Sequence, residues 1–319
     1  MAKVFQHLLY LLCSCLILFT SCGQNQQFEK TPKKVEPVIQ SSASDTYGAR
    51  STKPIVLLPM ATGENQKVCS CAIIDYSNCC KGYIMANYSG SVSKVKLQIK
   101  CPDSLTYTYT LNGGWEVFPL TGGNGSYTIN IYENISGNEY STALSAEISV
   151  NLENEFLPYL YPNQYVNFNK DTKLIKKGEE LAEKSSSDLE LVEKVYNYVI
   201  DTLEYDYEKA ENVKSGYTPK VDEIIELKKG ICFDYSAIIA TILRTQSIPT
   251  KMEFGYAGEI YHAWISIYIK DKGWIDGVIQ FDGKNWKRMD PTFADTDNKS
   301  KKIMKFIESD SNYKTKYRY

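Results

Sequence analysis

Gly230-Ile231-Cys232-Phe233-Asp234-Tyr235-Ser236-Ala237-Ile238-Ile239-Ala240-Thr241-Ile242-Leu243 decides the fold. From Cys232 onward the run is apolar on nearly every side, which is the composition of a helix buried all round. Such a helix needs other layers to cover it. Upstream, 179–184 close one predicted helix, and Leu189, Val192, Val195, Tyr196, Val199 and Leu203 form an apolar stripe at helical spacing in the next. A shorter helical stretch over 221–228 is stopped by Gly230. Downstream of Pro249 the pattern changes to strands, predicted over 251–255, 263–269, 274–281 and 286–289. Tyr313, Thr315, Tyr317 and Tyr319 alternate with Lys314, Lys316 and Arg318 as a closing strand. Helices first and an antiparallel sheet after them predict an α+β domain over 153–319.

A cysteine at the first turn of a buried helix is chemically loaded, because the unpaired backbone N–H groups and the positive end of the helix dipole favour the thiolate. A thiolate nucleophile needs a proton shuttle. The chain has two histidines, His7 and His262, and His7 lies in a segment that export would remove. The third member should orient and charge-stabilise the imidazole; Asp290, at the end of a predicted strand and locked by Pro291, is a suitable carboxylate.

Three blocks, Gly230 to Ser236, then Tyr261-His262-Ala263-Trp264, then Met289-Asp290-Pro291-Thr292, resemble the three signatures of the transglutaminase-like superfamily in order and spacing. The resemblance implies a papain-like cysteine fold with Cys232 as nucleophile, His262 as general base and acid, and Asp290 as orienter. It implies acyl transfer or hydrolysis of an amide or peptide bond through a thioester, and the signatures do not separate water from an amine as the acceptor. Trp264 and Tyr217 are candidates for lining the site or its oxyanion region, with plain packing as the competing reading for each; the second oxyanion donor stays open. Asp206 and Asp222 read as capping or solvated acids. Animal members of the superfamily use calcium, yet Asp295 and Asp297 are too sparse for six or more oxygen ligands, so no metal and no other cofactor is predicted.

Outward to the N-terminus, 54–152 reads as a small β-sandwich domain. Val95, Leu97 and Ile99 alternate with polar residues, as do Tyr107, Tyr109 and Leu111, and Asn112-Gly113-Gly114 suggests a tight hairpin into the strand that follows. Tyr127, Ile129 and Ile131 face one way in a further strand, and one more ends in Ala146, Ile148 and Val150. Cys69, Cys71, Cys79 and Cys80 could form two disulfides, a metal site or simply free thiols, and Cys-x-Cys and Cys-Cys lack the ligand spacing of a zinc knuckle. The segment 23–53 is a Gln-, Ser-, Lys- and Pro-rich flexible linker. Residues 1–22 read as a lipoprotein signal peptide: an apolar run over 8–19, too short to span a bilayer, is followed by Phe19-Thr20-Ser21-Cys22. Its end resembles a lipobox with Cys22 as the site of lipid attachment, although Phe19 stands where Leu is usual. The expected location is extracytoplasmic, anchored to membrane lipid through acylated Cys22, or secreted if the lipobox is not used.

Composition bounds the rest. Across 319 residues, 43% are hydrophobic and 23% charged, so the chain is neither disordered throughout nor a multi-span membrane protein. Lys and Arg number 36 against 38 Asp and Glu, scattered, which leaves no footprint for nucleic acid. The expected partner is a protein or peptidoglycan peptide substrate. The alternative is a surface-anchored binding or scaffolding lipoprotein that uses the same fold without significant catalysis.

Overall fold

Period-2 alternation in the first half of the chain produces two antiparallel sheets. The computed structural model describes residues 50–270, 272–276 and 312–319, with the backbone alone of 279–281 and 286–288. The strands are β1 (Gln66–Val68), β2 (Ala72–Asp75), β3 (Tyr83–Tyr88), β4 (Val95–Lys100), β5 (Thr106–Leu111), β6 (Gly114–Pro119), β7 (Gly125–Ser136) and β8 (Glu139–Val150). They divide into one sheet of order β1-β2-β3-β6 and another of order β5-β4-β7-β8. Side chains at alternate positions, Leu97 on β4 and Ile129 and Ile131 on β7, are wholly buried, as are Ile74, Ile84 and Phe118 on the other sheet.

The expected hairpin at Asn112-Gly113-Gly114 is not formed. β5 pairs with β4 while β6 pairs with β3, so the turn carries the chain from one sheet to the other. Gly113 and Gly114 do take positive φ, 92° and 74°. The local conformation was legible because both a hairpin and a crossing need it; the pairing partner is set by distant strands.

The second half begins with α1 (Leu174–Glu183) and α2 (Asp188–Thr202), followed by the two-residue β9 (Glu204–Tyr205), α3 (Tyr207–Asn212), α4 (Val221–Leu227), β10 (Lys229–Gly230) and α5 (Cys232–Thr245). Strands β11 (Thr250–Ala257), β12 (Ile260–Ile269), β13 (Gly273–Asp276), β14 (Ile279–Phe281), β15 (Trp286–Arg288) and β16 (Tyr313–Arg318) complete the chain. The run read as one strand over 274–281 is two: β13 pairs with β12, whereas β14, among the described residues, pairs with β15. The main sheet has order β13-β12-β11-β16 and is antiparallel throughout. Asp222 accepts from Lys173 N and Leu174 N at 2.9 and 3.1 Å and caps α1, and Asp206 accepts from Lys209 N at 3.0 Å and caps α3, the roles expected of both acids.

Helix α5 is the centre of the fold. Every residue from Asp234 to Thr245 is buried, because α1, α2 and α4 cover it on one side and β11 and β12 on the other. Ala43–Tyr319 is one compact unit, and the core runs continuously from the strand-rich half into the helical half. Tyr319 sits at the join: its ring centroid lies 5.8 Å from that of Tyr109 and 4.6 Å from that of Tyr165. Arg244, 1% exposed near the end of α5, donates to Thr250 O, Tyr161 O and Tyr319 O at 2.7–3.0 Å, which satisfies a guanidinium that burial would otherwise penalise.

Cys69, Cys71, Cys79, Cys80, Cys101 and Cys232 are free thiols. Cys69 Sγ and Cys71 Sγ lie 3.4 Å apart, and Cys80 Sγ donates to Glu153 Oε1 at 3.1 Å. The signal segment with Cys22, most of the linker, and Asp290, Asp295 and Asp297 lie outside the described residues. Among the described residues no helix is long and apolar enough to cross a membrane.

Candidate active site

The approach to Cys232 is fixed by backbone pairing before any side chain acts. β10 runs parallel to β9, with Glu204 N donating to Lys228 O at 2.9 Å and Asp206 N to Gly230 O at 2.8 Å. Lys228 ends α4 in the left-handed conformation, φ 54°, so the chain reverses within two residues and enters α5 at Ile231. Gly230 is required there: a Cβ would lie 2.8 Å from the Asp234 Cβ, which folds back over it. Cys232 is then the first residue of α5, half-buried, at the end where backbone N–H groups have no intrahelical acceptor.

Asp234, two residues on, is fully buried and wholly engaged. Its Oδ2 accepts from Ile231 N at 2.8 Å and from Lys209 Nζ at 2.6 Å, and its Oδ1 accepts from the Tyr217 hydroxyl. Lys209 Nζ also donates to the Tyr217 oxygen at 2.7 Å. One carboxylate thus ties α5 to α3 and to the loop that carries Tyr217. Burial, and then the carboxylate that accepts its hydrogen bond, push the Tyr217 hydroxyl far above the usual phenol range.

His262 comes from β12, opposite Gly255 of β11, and is 4% exposed. Gly255 has its own constraint: a Cβ there would lie 2.0 Å from Lys314 O, at the register shift where β16 pairs with β11. Trp264 stands two residues beyond His262 with ring centroids 6.2 Å apart and planes 24° from parallel. Its Nε1 donates to Glu253 Oε2 at 2.8 Å, and Glu253, 3% exposed, also accepts from Ser266 Oγ at 3.0 Å and Arg318 Nε at 2.9 Å.

Cys232 and His262 line one cavity of about 420 Å³, together with Tyr217, Phe233, Phe254 and Tyr261. Tyr217 therefore borders the site, whereas Trp264 lies behind His262 in the core and is not among the lining residues. Sequence reasoning did not find Lys209, Asp234, Phe254 or Tyr261. Asp234 carried a signal, an acid at the third helical position of an otherwise apolar helix, which is where a carboxylate reaches back to the N-cap amide. Lys209 carried none, because its partner is remote in sequence. A thiol at a helix N-terminus sharing a cavity with an imidazole can support nucleophilic chemistry at a carbonyl.

The family model of the transglutaminase-like superfamily matches residues 175–277. No curated protein matches the chain. Among solved structures, a transglutaminase (TGase) aligns at 25% identity over 40% of this chain and 32% of its own, with a TM-score of 0.29, so the chain spans about a third of that protein. A candidate cysteine protease from Cytophaga hutchinsonii aligns at 16% identity over 72% of this chain and 68% of its own, TM-score 0.34. The periplasmic domain of TgpA from Pseudomonas aeruginosa aligns at 14% identity over 74% of this chain and 76% of its own, TM-score 0.34. Residues 175–277, which include the helix bearing Cys232 and the strand bearing His262, thus match the transglutaminase-like superfamily and have an α+β fold.

Proposed function

We propose that the chain is a cysteine enzyme that attacks amide or peptide carbonyls through a thioester, with Cys232 as nucleophile, His262 as proton shuttle and Asp290 as the carboxylate that orients the imidazole. The observation that carries this reading is the shared cavity of Cys232 and His262 at the N-terminus of the central helix.

Cys232 Sγ attacks the carbonyl carbon and its proton passes to His262. The tetrahedral oxyanion lies at the N-terminus of α5, where the Cys232 N–H, at the first position of the helix, has no intrahelical acceptor. Collapse breaks the C–N bond, and His262 returns the proton to the leaving amine. The thioester then meets water, which gives hydrolysis, or a second amine, which gives acyl transfer. The half-buried setting of Cys232 admits a substrate carbonyl while the buried imidazole keeps its orientation.

Activity-based labelling with a thiol-reactive peptide probe tests the reading. The wild-type chain should be labelled at Cys232, and Cys232→Ala and His262→Ala should not be. Labelling that persists in His262→Ala at the wild-type rate would remove the Cys–His pairing. The proposed place of action is outside the cytoplasm, tethered through Cys22; recovery of Cys22→Ala in the membrane fraction, rather than in the soluble one, would count against the tether.

A further inference from the structure

Resting on that reading, we propose that the Cys232 cavity selects a polypeptide with a bulky apolar side chain, aromatic or branched aliphatic, next to the attacked amide. Such a substrate is favoured over the alanine, acidic and diamino acid residues of peptidoglycan stem peptides.

The walls of the cavity carry the argument. Phe233, adjacent to Cys232, packs edge-to-face against Phe254 with ring centroids 4.9 Å apart, against Tyr217 at 5.9 Å and against Tyr165 at 5.4 Å. This cluster is interlocked from several elements, so the apolar surface next to the thiol is formed before any substrate arrives. At the mouth, Ile260 is 61% exposed, Tyr261 53% and Val213 40%. Single exposed apolar side chains are ordinary on a protein surface; three around one opening are the uncovered rim of a binding site.

Charge points the same way. Lys214 is the only Lys, Arg, Asp or Glu among the described lining residues, and it is exposed on the ridge of Val213, Lys214, Gly216 and Tyr217. That ridge separates the apolar cavity from a second, open cleft of about 700 Å³ whose lining includes Asp206, Glu208, Lys209 and Asn212. Among the described residues, charged groups therefore gather outside the ridge. A carboxylate brought next to Cys232 would exchange water for the negative faces of aromatic rings, which is costly, whereas a phenyl or isobutyl group would gain contact at no polar cost. A volume of about 420 Å³ holds one large side chain with its flanking backbone.

The test separates binding from chemistry by using the full chain with Cys232→Ala. Fluorescence anisotropy is read for capped pentapeptides that differ at one residue, Phe, Leu, Ala or Glu, beside a glutaminyl amide, and for a synthetic stem peptide. Phe and Leu peptides should bind at least about 10-fold tighter than Ala and Glu peptides, the discrimination a hydrophobic pocket commonly supplies. Ile260→Ser and Tyr261→Ser, both at exposed positions, should narrow that gap. Equal affinities, no measurable binding of the Phe peptide, or tighter binding of the stem peptide would overturn the proposal. Preserved discrimination in Cys232→Ala with no labelling of the wild-type thiol by a Phe-bearing electrophile would support the pocket assignment and overturn only the thioester reading.

Discussion

Replacing Asp234 by alanine removes a fully buried carboxylate that serves three donors on three different segments. The Ile231 N–H loses its acceptor at the entrance to α5, the Tyr217 hydroxyl loses the oxygen it donates to, and Lys209 loses its counter-ion. Breaking a buried ion pair from one side costs roughly 3–5 kcal/mol. Lys209 is 26% exposed and can turn toward water, which puts the expected cost near the lower end, about 3 kcal/mol. Lys209→Met is the informative contrast. It strands a fully buried carboxylate with two neutral donors, the Ile231 N–H and the Tyr217 hydroxyl, so the roughly 3–5 kcal/mol of an uncompensated buried charge applies here and the loss should equal or exceed that of Asp234→Ala. Asp234→Asn, which leaves no buried anion, should cost less than either. Urea unfolding followed by far-ultraviolet circular dichroism, with an unchanged slope, measures all three. Alkylation of Cys232 by iodoacetamide in native buffer should change most in Asp234→Ala, because the first turn of α5 is held by that carboxylate. A loss of less than about 1 kcal/mol in Asp234→Ala would refute the view that Asp234 organises the three segments.

Gly255→Ala should destabilise by about 2 kcal/mol and make β16 susceptible to limited proteolysis, since the new methyl would press on Lys314 O at 2.0 Å; a melting temperature within a degree of wild type would contradict this. Stability should fall at alkaline pH: burial raises Tyr109, Tyr127, Tyr217 and Tyr319, and holds Tyr88 and Tyr165 at about 12. The unfolded chain ionises its tyrosines near pH ~10 while the folded chain keeps their protons, so their contribution is constant below that pH and stability drops between about 10 and 12; a flat urea midpoint from pH 9 to 11.5 would exclude it. Asp290→Asn should leave the melting temperature nearly unchanged and lower turnover on a cleavable peptide at least about 10²-fold, as expected of an orienting carboxylate; near-normal turnover would leave a Cys–His dyad.

What the sequence disclosed follows from how local each signal is. The burial of α5 was readable because no face of Cys232 to Leu243 is polar enough to meet water. His262 stood out by scarcity. The crossing at Gly113 and the division of 274–281 into β13 and β14 were not readable, because positive φ and apolar content are the same whichever strand becomes the partner. Helix α3 was missed for a different reason: Tyr207–Asn212 is short and has no buried residue, so it has no apolar stripe, and it is held by the Asp206 cap and the reach of Lys209 to Asp234. Long-range polar pairs leave no periodicity in a sequence.

The buried acids also bear on which carboxylate can serve the imidazole. Three are found among the described residues. Asp75 lies in the first sheet and accepts from Gly63 N and Ser77 N. Asp234 is committed to Lys209, Tyr217 and Ile231. Glu253, nearest to His262 along the sheet, accepts from Trp264, Ser266 and Arg318, so its oxygens are already claimed by donors that would have to be given up. Glu253 instead anchors the indole that stacks behind His262 and fastens β16 to β11 through Arg318. Each of these acids is thus spent on holding an element in place, and the proposed orienter of His262 is none of the three.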